Sequence, residues 1–180
     1  MARYVALLRG INLGARNKVA MPRLREVLAE AGFDDVATYV QSGNVLVSTA
    51  GSAASVAERV RIVVREAFDI DVPVVVRTRA QLQRVVELDP IAGAADDPKR
   101  YQVTFLDAKV PTSAWADVDP DAWGESTYVA TPTELFTYTP AGIQSDRMLR
   151  ALATAPVDTT GTARNWRTVT ALLAMLDGDA

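Results

Sequence analysis

A chain of 180 residues can bury a core without a disulfide or metal staple, and 49% apolar with 23% charged residues is a globular rather than a disordered composition. Cysteine and histidine are both absent, which excludes thiolate and imidazole nucleophiles, a histidine general base and zinc held by such ligands. A formal net charge of −3 offers polyanions no long-range attraction, so phosphate or nucleic-acid recognition would need a local basic patch.

The chain opens on an apolar run, Arg3 to Arg9, that ends at Gly10 and reads as a buried strand feeding a loop. The run is broken at Arg9, far short of a signal-peptide core or a membrane span, so a cytoplasmic protein is expected. Pro22 stands at a first helical position, Leu24, Val27, Leu28 and Ala31 keep helical spacing, and Gly32 supplies the stop. Val36 to Gln41 and Asn44 to Ser48 are β-rich runs with Ser42 and Gly43 between them, the pattern of a tight hairpin. Ser52 to Phe68 carries Val56, Val60, Val63, Val64 and Ala67 on one stripe and reads as a longer amphipathic helix; Pro73 to Arg77 follows as a Val-rich strand. The order strand, helix, strand, strand, helix, strand is the split βαβ arrangement of ferredoxin-like folds. The expected fold class is therefore α+β, with a ferredoxin-like subdomain over residues 1–78.

Residues 79–180 form the second α+β subdomain, expected to make one compact unit with the first. Gln81, Leu82, Val85 and Val86 predict a helix, Tyr101 to Leu106 a strand, and Tyr128 to Tyr138 a hairpin interrupted near Pro132. Ala108 to Ser126, with Pro111, Trp115, Pro120, Trp123 and Gly124, reads as an ordered excursion carrying one helical turn. A helix from about Ser145 to Ala153, a polar stretch, and a last helix through Trp166, Val169, Leu172 and Leu176 complete the chain. No residue-level repeat of the first half is visible in the second.

The chain directions of a split βαβ unit put the loop after the first strand and the hairpin after the second on one edge of the sheet. Two polar, glycine-containing segments should meet there. Arg9, Gly10, Asn12, Gly14 and Lys18 come from the loop, and Tyr39, Gln41, Ser42, Gly43 and Asn44 from the hairpin. The glycines allow positive φ and close backbone approach, while Arg9 and Lys18 could bracket an anion. The spacing is not that of a Walker loop. The alternative is a wide turn with Asn12 capping its own backbone and the basic residues in solvent. Near the C-terminus, Thr162 or Asn165 would cap the last helix, placing Arg164 at its positive end, where an anion or a carboxylate would relieve it.

The run Leu7, Leu8, Arg9, Gly10, Ile11, Asn12, with Gly14, Lys18, Met21, Leu24, Gly32, Phe33, Thr38, Tyr39, Ser42, Gly43, Asn44 and Val45, and later Arg164, Asn165, Trp166, Thr168 and Val169, resembles the bacterial domain-of-unknown-function family 1697. The resemblance implies a ferredoxin-like first half beside a smaller α/β second half, and no activity, substrate, cofactor or catalytic residue. The chain departs from the family pattern at Ala15 and Arg16, and at Ser145, Asp146, Arg147 and Met148.

Three functions remain on the sequence. One is binding, with or without turnover, of a small phosphorylated or carboxylated ligand by the Arg9–Lys18 loop and the Gln41–Asn44 hairpin, with Arg164 and Asn165 as further candidates. Another is an interaction or assembly protein with Trp115 and Trp123 at a contact surface. The third is a nucleic-acid module, against which stand the negative charge and a first strand apolar on both faces with no stacked-aromatic signature. No metal site is expected, the cofactor and oligomeric state are open, and whether the protein is an enzyme is undecided.

Overall fold

A computed structural model describes residues 1–14, 16–93, 96–144 and 146–178; Ala15 and Ser145, at two of the departures from the family pattern, lie outside them. The described residues form a mixed α+β protein with two four-stranded antiparallel sheets and five α-helices. No helix among them is long and apolar enough to cross a membrane. The chain divides into two compact units, Met1–Val85 with Ala171–Ala180, and Val86–Thr170.

The first unit runs β1 (Ala2–Leu8), α1 (Met21–Glu30), β2 (Asp34–Tyr39), β3 (Asn44–Thr49), α2 (Ala53–Phe68) and β4 (Val74–Thr78), followed directly by α3 (Arg79–Leu88). Its strand order is β2-β3-β1-β4. β3 lies between β1 and β2 and is antiparallel to both, so the two strands joined through α1 run parallel without touching. Alternation puts Tyr4, Ala6 and Leu8 of β1, Val45 and Val47 of β3 and Val76 of β4 in one core with Leu24 and Leu28 of α1 and Val56, Val60 and Val64 of α2. Val5, Leu7 and Leu46, on the opposite face, are buried as well, as the doubly apolar pattern of β1 requires. α2 starts where the sequence places it because Ser52 Oγ accepts from the Ser55 N–H (3.2 Å). α1 has no side-chain cap and relies on a proline in its first turn.

The second unit contains β5 (Tyr101–Leu106), a 3-10 turn at Thr112–Trp115, β6 (Thr127–Ala130), β7 (Glu134–Tyr138), α4 (Arg147–Ala153), β8 (Gly161–Asn165) and the start of α5 (Trp166–Asp177). β8 occupies what the sequence offered only as a polar stretch before the last helix. It pairs antiparallel with β5, Thr162 opposite Phe105 and Arg164 opposite Val103. Thr162 and Arg164 are its buried residues, so the strand carries polar types on its inner face and shows no apolar alternation to read. Of the two proposed caps for α5, Asn165 is the one used: its Oδ1 accepts from the Thr168 N–H (2.9 Å). Trp115 is buried in the core beneath the excursion rather than offered as a contact surface, and Trp123 is half-buried beside it.

The two units follow one plan although their residues differ. The second sheet has the order β6-β7-β5-β8, which is the first with β5, β6, β7 and β8 standing for β1, β2, β3 and β4. The match holds at single-residue register. Val5 faces Leu46 and Arg77, and Val103 faces Phe136 and Arg164. The Leu8 N–H donates to the Gly43 carbonyl (2.8 Å) as Leu106 does to Thr133 (2.9 Å), and Arg9 donates to Pro73 (2.9 Å) as Asp107 does to Thr160 (2.9 Å). The last strand of each plan runs straight into a helix capped by the strand's final residue, Thr78 accepting from the Gln81 N–H (3.2 Å) and Asn165 from Thr168. What breaks the repeat is α1, replaced in the second unit by the excursion of residues 107–126.

Candidate functional site

The loop after β1 and the turn between β2 and β3 meet at one sheet edge, and Asn12 joins them. Its Nδ2 donates to the Val19 carbonyl (2.9 Å) and the Gln41 carbonyl (2.8 Å), and its Oδ1 accepts from the Val19 N–H (2.9 Å). The Asn12 N–H donates to the Asn17 carbonyl (3.0 Å), and Asn17 Nδ2 returns a bond to Gly10 (3.0 Å). The loop is thus cross-braced, with both side-chain N–H donors of Asn12 and its amide oxygen bonded to backbone. Gly10 and Gly14 hold φ of +70° and +64° in open space, so there conformation demands glycine rather than crowding.

Gly43 is required for both reasons. Its φ is +75°, and a Cβ built on it would lie 2.9 Å from Leu8 Cβ and 2.9 Å from Ile11 Cδ1. Loop and turn are therefore packed against each other through Ile11, not merely adjacent. The turn itself differs from the expected two-residue hairpin. β2 ends at Tyr39 paired with Asn44, leaving Val40 to Gly43 as four connecting residues. Val40 adopts φ +50°, a left-handed conformation that a β-branched side chain rarely accepts. Asn44 is buried, and its Nδ2 donates to the Tyr39 carbonyl (3.1 Å) and Ser42 Oγ (3.0 Å), closing the turn from inside.

The candidates thus divide by role. Ile11, Asn12, Gly43 and Asn44 hold the edge together. Arg9, Lys18, Gln41 and Ser42 face solvent, and Tyr39 is half-buried at the end of β2. Arg16, which the sequence reading left outside the candidate set, is exposed on the same loop. Among the described residues Arg9, Arg16 and Lys18 have no carboxylate partner, whereas Arg61 makes a two-pronged pair with Asp71 (2.6 and 2.6 Å) on the same unit. Two apolar side chains stand out on this edge, Leu13 at 72% and Val40 at 54% exposure. The strain at Val40 has no sequence signal, because a valine between a tyrosine and a glutamine reads as ordinary strand.

Arg164 and Asn165 belong to the other unit. Arg164 Nη1 donates to Thr162 Oγ1 (2.8 Å) and to the Ala163 carbonyl (2.8 Å), and burial pulls its pKa down to about 10. No cluster of three or more carboxylates able to hold a metal ion occurs among the described residues.

The repeat supplies an internal contrast. Asp107 stands where the first unit has Arg9, and its Oδ1 accepts from Thr159 Oγ1 (2.7 Å) and the Thr160 N–H (2.9 Å). The same backbone position is a satisfied carboxylate in one unit and, in the other, a guanidinium with no carboxylate partner among the described residues.

Residues 1–136 match the family described as a protein of unknown function, DUF1697. The chain belongs to this family. The DUF1697 match takes in β1 to α3 and continues through β5, β6 and most of β7, so α4, β8 and Arg164 lie beyond it. The fold of this DUF1697 protein is also that of the conserved bacterial protein SP0830 from Streptococcus pneumoniae. The TM-score is 0.78 at 23% identity, with 98% of this chain and 99% of that one covered. No curated protein matches the sequence.

Proposed function

We propose that the first unit, which we read as ferredoxin-like, binds a small phosphorylated or carboxylated molecule at the edge built by the Arg9–Lys18 loop and the Val40–Gly43 turn. The observation that carries this reading is a braced backbone presenting Arg9, Arg16 and Lys18 with no carboxylate partner among the described residues. Rigid placement lowers the ordering cost of binding, and guanidinium groups suit the planar or tetrahedral oxyanion. The satisfied Asp107 at the matched position shows that the plan does not need a cation there. A thermal-shift series with inorganic phosphate, phosphorylated metabolites and di- and tricarboxylates tests it. At least one anion is expected to raise the melting temperature, less so at high salt, and the paired change Arg9→Ala with Lys18→Ala is expected to abolish that rise. A rise unaltered by the paired change would place the ligand elsewhere.

A second reading is supported by Leu13 and Val40, whose exposure beside three cations also suits an acidic protein segment with an apolar anchor. Leu13→Ser would weaken capture of such a partner and leave small-anion binding intact.

A further inference from the structure

Charge is segregated along this chain. Residues 1–25 hold six arginines and lysines and no carboxylate, whereas residues 110–144 hold five carboxylates and no arginine or lysine. The first stretch contains the loop after β1, and the second contains most of the excursion that replaces α1 in the second unit. Asp117, Asp119, Asp121 and Glu125 of the excursion are exposed and make no ion pair among the described residues. Arg9, Arg16 and Lys18 stand in the same condition on the loop. Each patch therefore lacks the countercharge that the other carries.

Each patch also has an apolar feature that the other can use. Among the cations, Leu13 is 72% exposed on the braced loop. Among the carboxylates, a cleft of about 400 Å³ has Trp123, Ala122 and Ala141 in its wall, and Asp121 and Glu125 flank its lining residues 122–124 in the chain. The charged residues of the lining are Asp146 and Arg147, one of each sign. One Asp146 oxygen accepts from Ser126 Oγ (2.9 Å) and the other from the Leu149 N–H (2.9 Å). A neutral cleft with an aromatic wall suits an uncharged side chain, and its acidic flanks suit cations around that side chain.

We infer that the chain associates with a second copy of itself, Leu13 of one copy entering the Trp123 cleft of the other while Arg9, Arg16 and Lys18 meet Asp117, Asp121 and Glu125. The inference rests on reading the loop edge as a seat for an acidic protein segment, and it supplies that segment from the chain itself. Two different surfaces meet, so the contact is head-to-tail. Exposed ion pairs are individually weak and screened by salt, so association rises with protein concentration and falls with ionic strength.

Sedimentation velocity of the full chain, from micromolar to millimolar concentration at low and high salt, tests this. Association is expected at low salt, about tenfold weaker in Leu13→Ser, whose exposed position leaves the fold undisturbed. Two charge-reversed chains, Arg9→Glu with Lys18→Glu and Asp121→Lys with Glu125→Lys, each keep one native surface. Neither should associate alone, and their mixture should form a one-to-one pair through the intact edge of one and the intact excursion of the other. The inference is overturned by a native chain that stays monomeric at millimolar concentration in low salt, by association undiminished in Leu13→Ser, or by folded reversed chains that stay monomeric when mixed. A labelled peptide of alternating glutamate and leucine, followed by fluorescence anisotropy, separates the two levels of failure. Its binding to a chain that stays monomeric removes the self-association and leaves the acidic-segment reading standing.

Discussion

Asn12 shows how one side chain can decide the shape of a candidate site. Its three side-chain bonds tie residues 12, 19 and 41, and its φ of +54° is one that asparagine tolerates better than most residues. Asn12→Ala removes all three bonds and strains the backbone, and is expected to cost about 1–3 kcal/mol, read as a lower denaturation midpoint. Anion-induced stabilisation should fall with it, because Arg9 and Lys18 lose their fixed platform. Asp71 makes the opposite kind of contact, an exposed bidentate pair with Arg61. Its hydrogen bond to that guanidinium, reinforced by the guanidinium's charge, holds the Asp71 carboxyl below its ordinary value. A carboxyl depressed in the folded state adds stability above its unfolded pKa and loses it as pH falls through the folded value. Urea midpoints of Asp71→Asn should therefore lie slightly below the parent's at neutral pH, and the gap should close as the solution is acidified below the ordinary carboxylate range. A gap that persisted there would mean the pair acts through packing instead of charge.

At the scale of elements, the connection from β2 to β3 is the least ordinary. Val40 in the left-handed region costs about 1–2 kcal/mol relative to an extended conformation, and being 54% exposed it recovers little by burial. Val40→Gly relieves that strain at some loss of unfolded-state constraint, so a net stabilisation of about 0.5–1 kcal/mol is expected in thermal or denaturant unfolding. If strain is retained there because the edge recognises a ligand, the same variant should bind the anion more weakly while melting higher. No gain in stability would mean that the turn carries no strain. The contrast with β6 and β7 is instructive. There Thr131, Pro132 and Thr133 make the connection, Thr131 Oγ1 accepting from the Glu134 N–H (2.8 Å) and the Thr133 N–H (3.3 Å). One plan thus carries a tightly satisfied turn in the second unit and a strained, exposed one in the first.

For the whole molecule, the division into units does not follow the chain simply. α5 begins in the second unit, but residues from Ala171 onward belong to the first. There the Arg3 guanidinium donates to the Leu176 carbonyl (3.3 Å), and Arg79 pairs with Asp177. Leu172 and Leu176 are buried, and at about 1.5–3 kcal/mol for each buried leucine their loss approaches the total stability of an ordinary domain. Ending the chain at Thr170 is expected to lower the urea midpoint steeply and to expose apolar surface detectable by dye binding. An unchanged midpoint would show that the last two turns add nothing to the first unit.

Much of this architecture was legible in the residues themselves. The spacing of Val56, Val60 and Val64 behind Ser52 set α2 to within a residue, and the apolar pattern of Arg3 to Leu8 located β1 and its burial on both faces. The meeting of the Arg9–Lys18 loop with the Gly43 turn followed from the chain directions of the expected split βαβ order. β8 could not be read that way, because its buried positions are Thr162 and Arg164, polar side chains that bond each other within the strand. The shared plan of the two units was likewise invisible, since strand order and register survive replacement of nearly every side chain. Local sequence determined the helices, the strands other than β8, and which loop carries the cations. Only the tertiary structure decided that Asn12 and Asn44 are braces, that the Arg9 side chain has no carboxylate partner among the described residues while its counterpart Asp107 is satisfied, and that Val40 is strained. The bonds from Asn12 to Gln41 and from Thr159 to Asp107 join residues distant in the chain, and the Asn44 and Val40 geometry follows from how the turn packs against the loop.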